Sequence, residues 1–194
     1  MATLQDVGND TGSIGIYQPK IRNKWRLTFI GVGNSIDDGE ALTVQAVTAE
    51  RPKLNFEKIT LDRYNSRVFI AGKHSFDPMN ITFEDDIGGK VATSIQNQLE
   101  RQQNIIAQTP SPLLPSSAAG ELYKFSIRID MLDGGEVILE SWSIEGCWLE
   151  SVDWTDLDYT ASEQVKINIT VSYDHARQRN TGTELDAHNG SGPL

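Results

Sequence analysis

Two segments of the chain alternate apolar and polar residues without a break. From Tyr123 to Met131 the set Tyr123, Phe125, Ile127, Ile129 and Met131 interleaves with Lys124, Ser126, Arg128 and Asp130. From Val165 to Tyr173 the set Val165, Ile167, Ile169, Val171 and Tyr173 interleaves with Lys166, Asn168, Thr170 and Ser172. Successive side chains of a strand point to opposite faces, so each segment predicts a strand with one buried and one solvated face, as in antiparallel sheet. Shorter runs predict seven more strands, at Trp25 to Ile30, Leu42 to Val47, Phe56 to Leu61, Arg67 to Ala71, Asn80 to Glu84, Val137 to Ile144 and Trp148 to Trp154. Asp133-Gly134-Gly135 supplies the turn of a hairpin over Tyr123 to Ile144. Within its second strand Glu140, Trp142 and Ile144 share a parity that Leu139 breaks, which predicts a bulge near Ser141.

One helix is predicted. Val91, Ile95 and Leu99 recur at i+4, Ala92 and Ile105 or Ile106 extend the stripe, and Gln96, Gln98, Glu100, Arg101 and Gln103 fill the other face. Asp85 and Asp86 lie just upstream, where an acid caps the helix and offsets its dipole. Thr109 to Ser117 holds three prolines and reads as an extended surface loop. The expected fold is a β-rich α+β domain over residues 1–174, an antiparallel sandwich or barrel with one α-helix, followed by a flexible polar C-terminal tail over residues 175–194.

Charge narrows the function. The chain has 194 residues, 27 acidic and 17 basic side chains and a net charge of −10. It lacks the basic footprint of a phosphate binder and has no apolar run of about 20 residues that would span a membrane. Cys147 is the single cysteine and can form no internal disulfide, and Met1 to Ser13 lacks the order of a secretion signal, so folding in a reducing cytoplasm is expected. Glu140 with Glu145, or Asp153 with Asp156, could serve as the acid and base of a glycosidase, which needs carboxyls roughly 5 to 10 Å apart, but among 27 acids close pairs are unavoidable. His74, His175 and His188 show no zinc spacing, Gly31-Val32-Gly33-Asn34 lacks the third glycine of a phosphate loop, and no G-x-S-x-G elbow exists. The expectation is therefore no catalytic residue, no cofactor and no metal. One asymmetry stands out. Nine acids and no Lys or Arg fall between Asp133 and Glu163, whereas Arg51, Lys53, Lys58, Arg63 and Arg67 gather earlier, a distribution that suits complementary patches on a self-assembling subunit.

Two blocks then resemble a known family. Asn65 to Asp77, read as NSRVFIAGKHSFD, followed by Asn80 to Asp86 and a helix, resembles the tail tube proteins of T-even-type contractile phages. Trp142 to Glu150, then Val152-Asp153-Trp154 and the closing strand Val165 to Tyr173, is similar to the same family's strand, Gly-x-Trp turn and final strand, and Val47 to Ile59 lines up with the segment before the first block. The resemblance implies a non-enzymatic subunit that forms hexameric rings. The rings stack into a tube with a contractile sheath outside, baseplate and tail-terminator proteins at its ends, and first the tape-measure protein and then DNA inside, the DNA passing without specific binding. It further implies a place in the virion tail after assembly in the bacterial host cytoplasm, and no membrane partner. In the family the region matching Arg63, Tyr64, Asn65 and Arg67 joins neighbouring subunits and rings. Glu140, Glu145, Glu150 and Asp153 are candidates for an acidic field that keeps DNA from adhering. The alternatives are the tube of a type VI secretion, bacteriocin or extracellular contractile injection system and, from another class, a carboxylate-dependent carbohydrate-active enzyme.

Overall fold

The alternating segments become the middle of a β-sandwich. The computed structural model describes residues 20–33, 36–103, 123–133, 137–160 and 162–180. In chain order the elements are β1 (Trp25–Ile30), α1 (Ile36–Gln45), β2 (Ala46–Ala49), β3 (Lys53–Arg63), β4 (Ser66–Asp77), β5 (Met79–Glu84), α2 (Lys90–Gln103), β6 (Phe125–Leu132), β7 (Ile138–Trp154), β8 (Lys166–Ser172) and β9 (His175–Asn180). All strand pairs are antiparallel. The first half of β7 pairs with β6 and β9, its second half with β8, so β7 belongs to two sheets. The first sheet runs β1-β6-β7-β9 and the second β7-β8-β5-β2.

The core lies between them. Leu27, Phe29, Ile127, Ile129 and Ile144 face Met79, Ile81, Phe83, Ile167, Ile169 and Val171, all buried. Phe29 joins the two sheets, its ring 5.9 Å from Phe83 and 6.2 Å from Phe125. Burial of side chains of this size contributes about 1.5 to 3 kcal/mol each, which is ample to hold a sandwich of short strands.

Helix α2 closes one end through its polar side chains as much as its apolar ones. Val91 and Ile95 enter the core, and the Asp86 carboxylate caps the helix by accepting from the Lys90 amide at 2.9 Å. Gln98, placed on the polar face by periodicity, is buried. It donates to the Tyr123 carbonyl and accepts from the Gly33 amide, satisfying two backbone groups at the sandwich end. Arg101 donates to the carbonyls of Gly31 and Gly33.

Several expectations are corrected. Two helices are present among the described residues, because Leu42 to Val47 is divided between α1 and β2. The β-branched residues there suggest a strand, but packing wins: Leu42 is buried against the core, and Gly39 brings the helix within contact of the Phe29 carbonyl, where a Cβ would sit 3.0 Å from that oxygen. Val137 to Ile144 and Trp148 to Trp154 are one strand, carried across its bend by Gly146 at φ +71°. The register slips between Met131 and Leu132, leaving Leu139 extra, while Asp130 and Ser141 pair regularly, so the bulge lies at Leu139 and not at Ser141. The tail does not begin at His175, since His175–Asn180 form β9 on the edge of the first sheet. The proline-rich loop, Gly134-Gly135 and residues 181–194 lie outside the described residues.

Candidate assembly interface

Strands β3 and β4 form a two-stranded sheet that pairs with no other strand among the described residues. At about 3.3 Å per residue its 11-residue strand extends about 35 Å. The pairing explains its two characters. Leu54 opposes Phe76, Phe56 opposes His74, Ile59 opposes Ile70 and Leu61 opposes Val68, and a register shift between Phe56 and Lys58 keeps both halves of β3 on one face. Gly72 belongs to that face and leaves room for the Ile59 side chain to lie across it. Leu54, Phe56, Ile59, Leu61, Val68 and Ile70 are each between 40% and 60% exposed. An isolated hairpin is marginally stable in water, and a contiguous apolar face of this kind marks an interaction surface. The opposite face carries Lys53, Asn55, Lys58, Asp62, Arg67, Lys73 and Asp77, with the Lys58 ammonium 3.5 Å above the Phe69 ring.

The tip is the segment singled out by its arginines. Tyr64 is fully exposed and sits at φ +48°, a left-handed conformation that is costly for a bulky side chain and tends to be kept where it serves contact. Arg67 pairs with Asp62 at 3.0 Å, both side chains 72% exposed, so the pair is weak and exchangeable. The Ser66 hydroxyl donates to the Arg63 carbonyl and closes the turn. At the root Phe76 packs against Tyr173 at 5.4 Å and His175 at 5.9 Å, fixing the arm to the body.

The four candidate acids are not brought together. Glu140 is buried at the root of the arm, where its carboxylate takes hydrogen bonds from Lys20 and from the Trp142 indole at 2.7 Å, with Arg51 at 3.9 Å. Burial pushes its carboxyl up, but the bonds from Lys20 and Trp142 and the charges of Lys20 and Arg51 outweigh this and hold it below the usual glutamate range. A depressed carboxyl stabilises the fold above the unfolded value, and that stability is lost as pH falls through the folded value. E140Q should therefore melt below the unaltered protein at pH 7, with the gap closing as pH falls through and below the ordinary glutamate range; a gap independent of pH in thermal melts would refute the ionic role. Glu145 is exposed on the first sheet, opposite His175.

Only Glu150 and Asp153 reach the solvent face of the second sheet. Apart from these and the Glu84–Lys166 pair at its end, that face carries a neutral ladder of Asn80, Thr82, Asn168, Thr170 and Ser172. The Thr82 hydroxyl donates to Asn168 at 2.8 Å and the Thr170 hydroxyl to Asn80 at 3.0 Å. Ser172 donates to Glu150, Asp153 stands opposite Asn168, and Glu84 stands opposite Lys166. Periodicity exposed these polar positions, but only the register shows that they share one face. The apolar face of the arm escaped sequence reasoning because the bulge breaks its alternation. Among the described residues no three His, Cys, Asp or Glu side chains are grouped to hold a metal ion, and Cys147 is buried with its thiol pushed up by burial to about 12, far from a reactive thiolate.

No family model matches the chain. A curated relative, a tail tube protein of Serratia phage KSP90, is 22% identical over 144 residues, covering 73% of this chain and 78% of that protein. Among solved structures, a chain of the anti-feeding prophage tube terminating cap superposes with a TM-score of 0.62 at 16% identity, over 87% of this chain and 95% of that one. A chain of the sheath-tube complex of the extracellular contractile injection system PVC gives 0.57 at 14%, over 89% and 99%. A chain of the SPP1 tail tube gives 0.53 at 12%, over 84% and 80%. The chain is thus a homologue of a phage tail tube protein and has the tube-protein fold, as the two sequence blocks implied.

Proposed function

We propose that the chain is the structural subunit of a phage tail tube, that six copies close a ring, and that stacked rings form the conduit for DNA. The observation that carries this reading is the arm: a 25-residue hairpin, residues 53–77, whose apolar face the described residues leave about half exposed. A second copy laid on that face removes it from water, and the sheet edge at β2 finds a partner in the same step. The phage relative favours DNA as cargo over secreted protein. The sheath, baseplate and tail-terminator proteins are the outer and end partners, the tape-measure protein occupies the lumen before DNA, and the tube is built in the bacterial cytoplasm for the virion tail. The role is structural and needs no catalytic group.

In this arrangement the ladder of Asn80, Thr82, Asn168 and Thr170 lines the lumen, with Glu150 and Asp153 supplying its acidity. Native mass spectrometry across a concentration series, followed by negative-stain microscopy, tests the assembly. Rings of six that stack into filaments are expected, and only monomers and dimers at every concentration would overturn it. At the tip, Arg63 and Arg67 offer paired donors to carboxylates of the next subunit. Changing both to Glu should stop stacking while rings and circular dichroism persist; tubes of normal length in that variant would remove the tip from the joint.

A further inference from the structure

The solvent face of the first sheet is the opposite of the ladder in charge. Strand register places side chains across it in two rows. The first reads Arg26, Asp130, Ser141, Arg179 and the second Thr28, Arg128, Ser143, Arg177. Ser141 and Ser143 are the smallest side chains of the rows and lie on β7, between β6 and β9, so the face dips into a shallow trough along β7, open at Ser143 and covered at Ser141 by Arg128, whose Nε donates to the Ser141 hydroxyl at 3.2 Å. Arg128 and Arg26 stand along one side, and Arg177 and Arg179 along the other. Arg128 on β6 is two strand spacings from the arginines of β9, about 9.5 Å, the width of one extended chain, and Arg26 on β1 is three spacings from them, about 14 Å.

Part of the trough is organised in advance. Asp130, 1% exposed, accepts from Arg128 at 2.8 Å, Arg26 at 3.3 Å and the Ser141 hydroxyl at 2.7 Å, which orients two guanidiniums while the Arg side chains remain 40% and 55% exposed. Arg177 and Arg179 are exposed and have no ion pair among the described residues. Four arginines against two acids, Asp130 and Glu145, leave an excess of two positive charges on one sheet face of a chain whose net charge is −10.

We propose that this trough binds an extended, carboxylate-rich segment of another protein, with its acids held by the paired donors of the arginine walls. Guanidinium forks match carboxylates in geometry as well as charge. A nucleic acid is disfavoured, because the whole-chain charge repels a polyanion at long range and the two rows hold no aromatic ring for a base to stack on.

The test uses the full chain and a fluorescein-labelled ten-residue peptide of alternating Glu and Ser, followed by anisotropy at 50 mM salt, with a ten-residue Lys-Ser peptide and a ten-nucleotide single strand as controls. The acidic peptide should bind at least tenfold more tightly than either control. R177S with R179S, on the exposed side of an edge strand, should weaken it at least tenfold while rings and filaments form as before. Equal binding by that variant, or tighter binding of the oligonucleotide, would overturn the proposal. Loss of filaments in R177S/R179S would also overturn it by assigning the arginines to contacts between copies. Peptide binding is read on the protein whether or not it forms tubes, so failure of the tube reading and failure of this inference are separate results.

Discussion

Tubes should vanish when the apolar face of the arm is made polar. In a variant carrying I59S, L61S and V68S, microscopy should find no filaments, while the thermal melt of the body stays within a few degrees of the unaltered protein. Each of these side chains is about half exposed in the single chain, so covering it in an assembly contributes about 1 kcal/mol, half of a full burial. Three of them amount to about 3 kcal/mol for each arm on the same scale, and six arms act at every joint of a hexameric tube. A joint weakened sixfold over cannot hold. The body is spared because the core residues Phe29, Phe83 and Ile127 belong to other strands and touch none of these three. Filaments of normal length would show that the arm's apolar face is not what joins the copies, and a large fall in melting temperature would show that the face is packed within one chain.

Much of the sandwich was legible because its strands have one wet face. Strands β1, β6 and β8 lie within two residues of their predicted limits, since alternation reports burial directly when a sheet has a single core. Where the physics is less local the sequence is mute. Leu42 to Val47 has β-favouring residues, and only its packing on β1 and α2 makes it part helix. The family resemblance implies a Gly-x-Trp turn at Gly146, yet the strand runs through it: the positive φ lets β7 bend from one sheet to the other without ending, and a side chain there would collide with Asp174. The acidic stretch shows the same limit. Nine acids close in sequence look like one field, but a strand that changes sheets and slips register at Leu139, Gly146 and Glu150 sends Glu140 to a buried ion pair, Glu145 to the first sheet and Glu150 and Asp153 to the second. For the arm, the strands were visible and the single apolar face was not, since Leu54 and Phe56 differ in parity from Ile59 and Leu61 until the bulge at Glu57 is known.

Placing lysine on the ladder should turn a passive conduit into one that holds DNA. Thr82 and Thr170 project from the solvent face of the second sheet, half-buried and bonded only to neighbouring amides, so T82K with T170K should leave the core intact. In a ring of six the pair adds 12 positive charges, which offset the 12 carboxylates of Glu150 and Asp153 and set ammonium groups on a ladder whose neutral groups already satisfy one another and so offer little to phosphate. Affinity for DNA rises with each phosphate neutralised, and the logarithm of binding falls with the logarithm of salt at a slope of about −0.9 per phosphate. If four phosphates are engaged, raising salt from about 50 to about 200 mM should cost roughly a hundredfold in retention. Co-sedimentation of a short duplex with reconstituted tubes measures this directly. The unaltered tube should retain almost none at either salt, and the variant should retain it at low salt and release it at high salt. Ejection from particles assembled with the variant should slow in the same order. Equal retention by both tubes would place the ladder somewhere other than the lumen, and strong retention by the unaltered tube would mean that its inner wall is basic, with DNA moving against adhesion instead of without it.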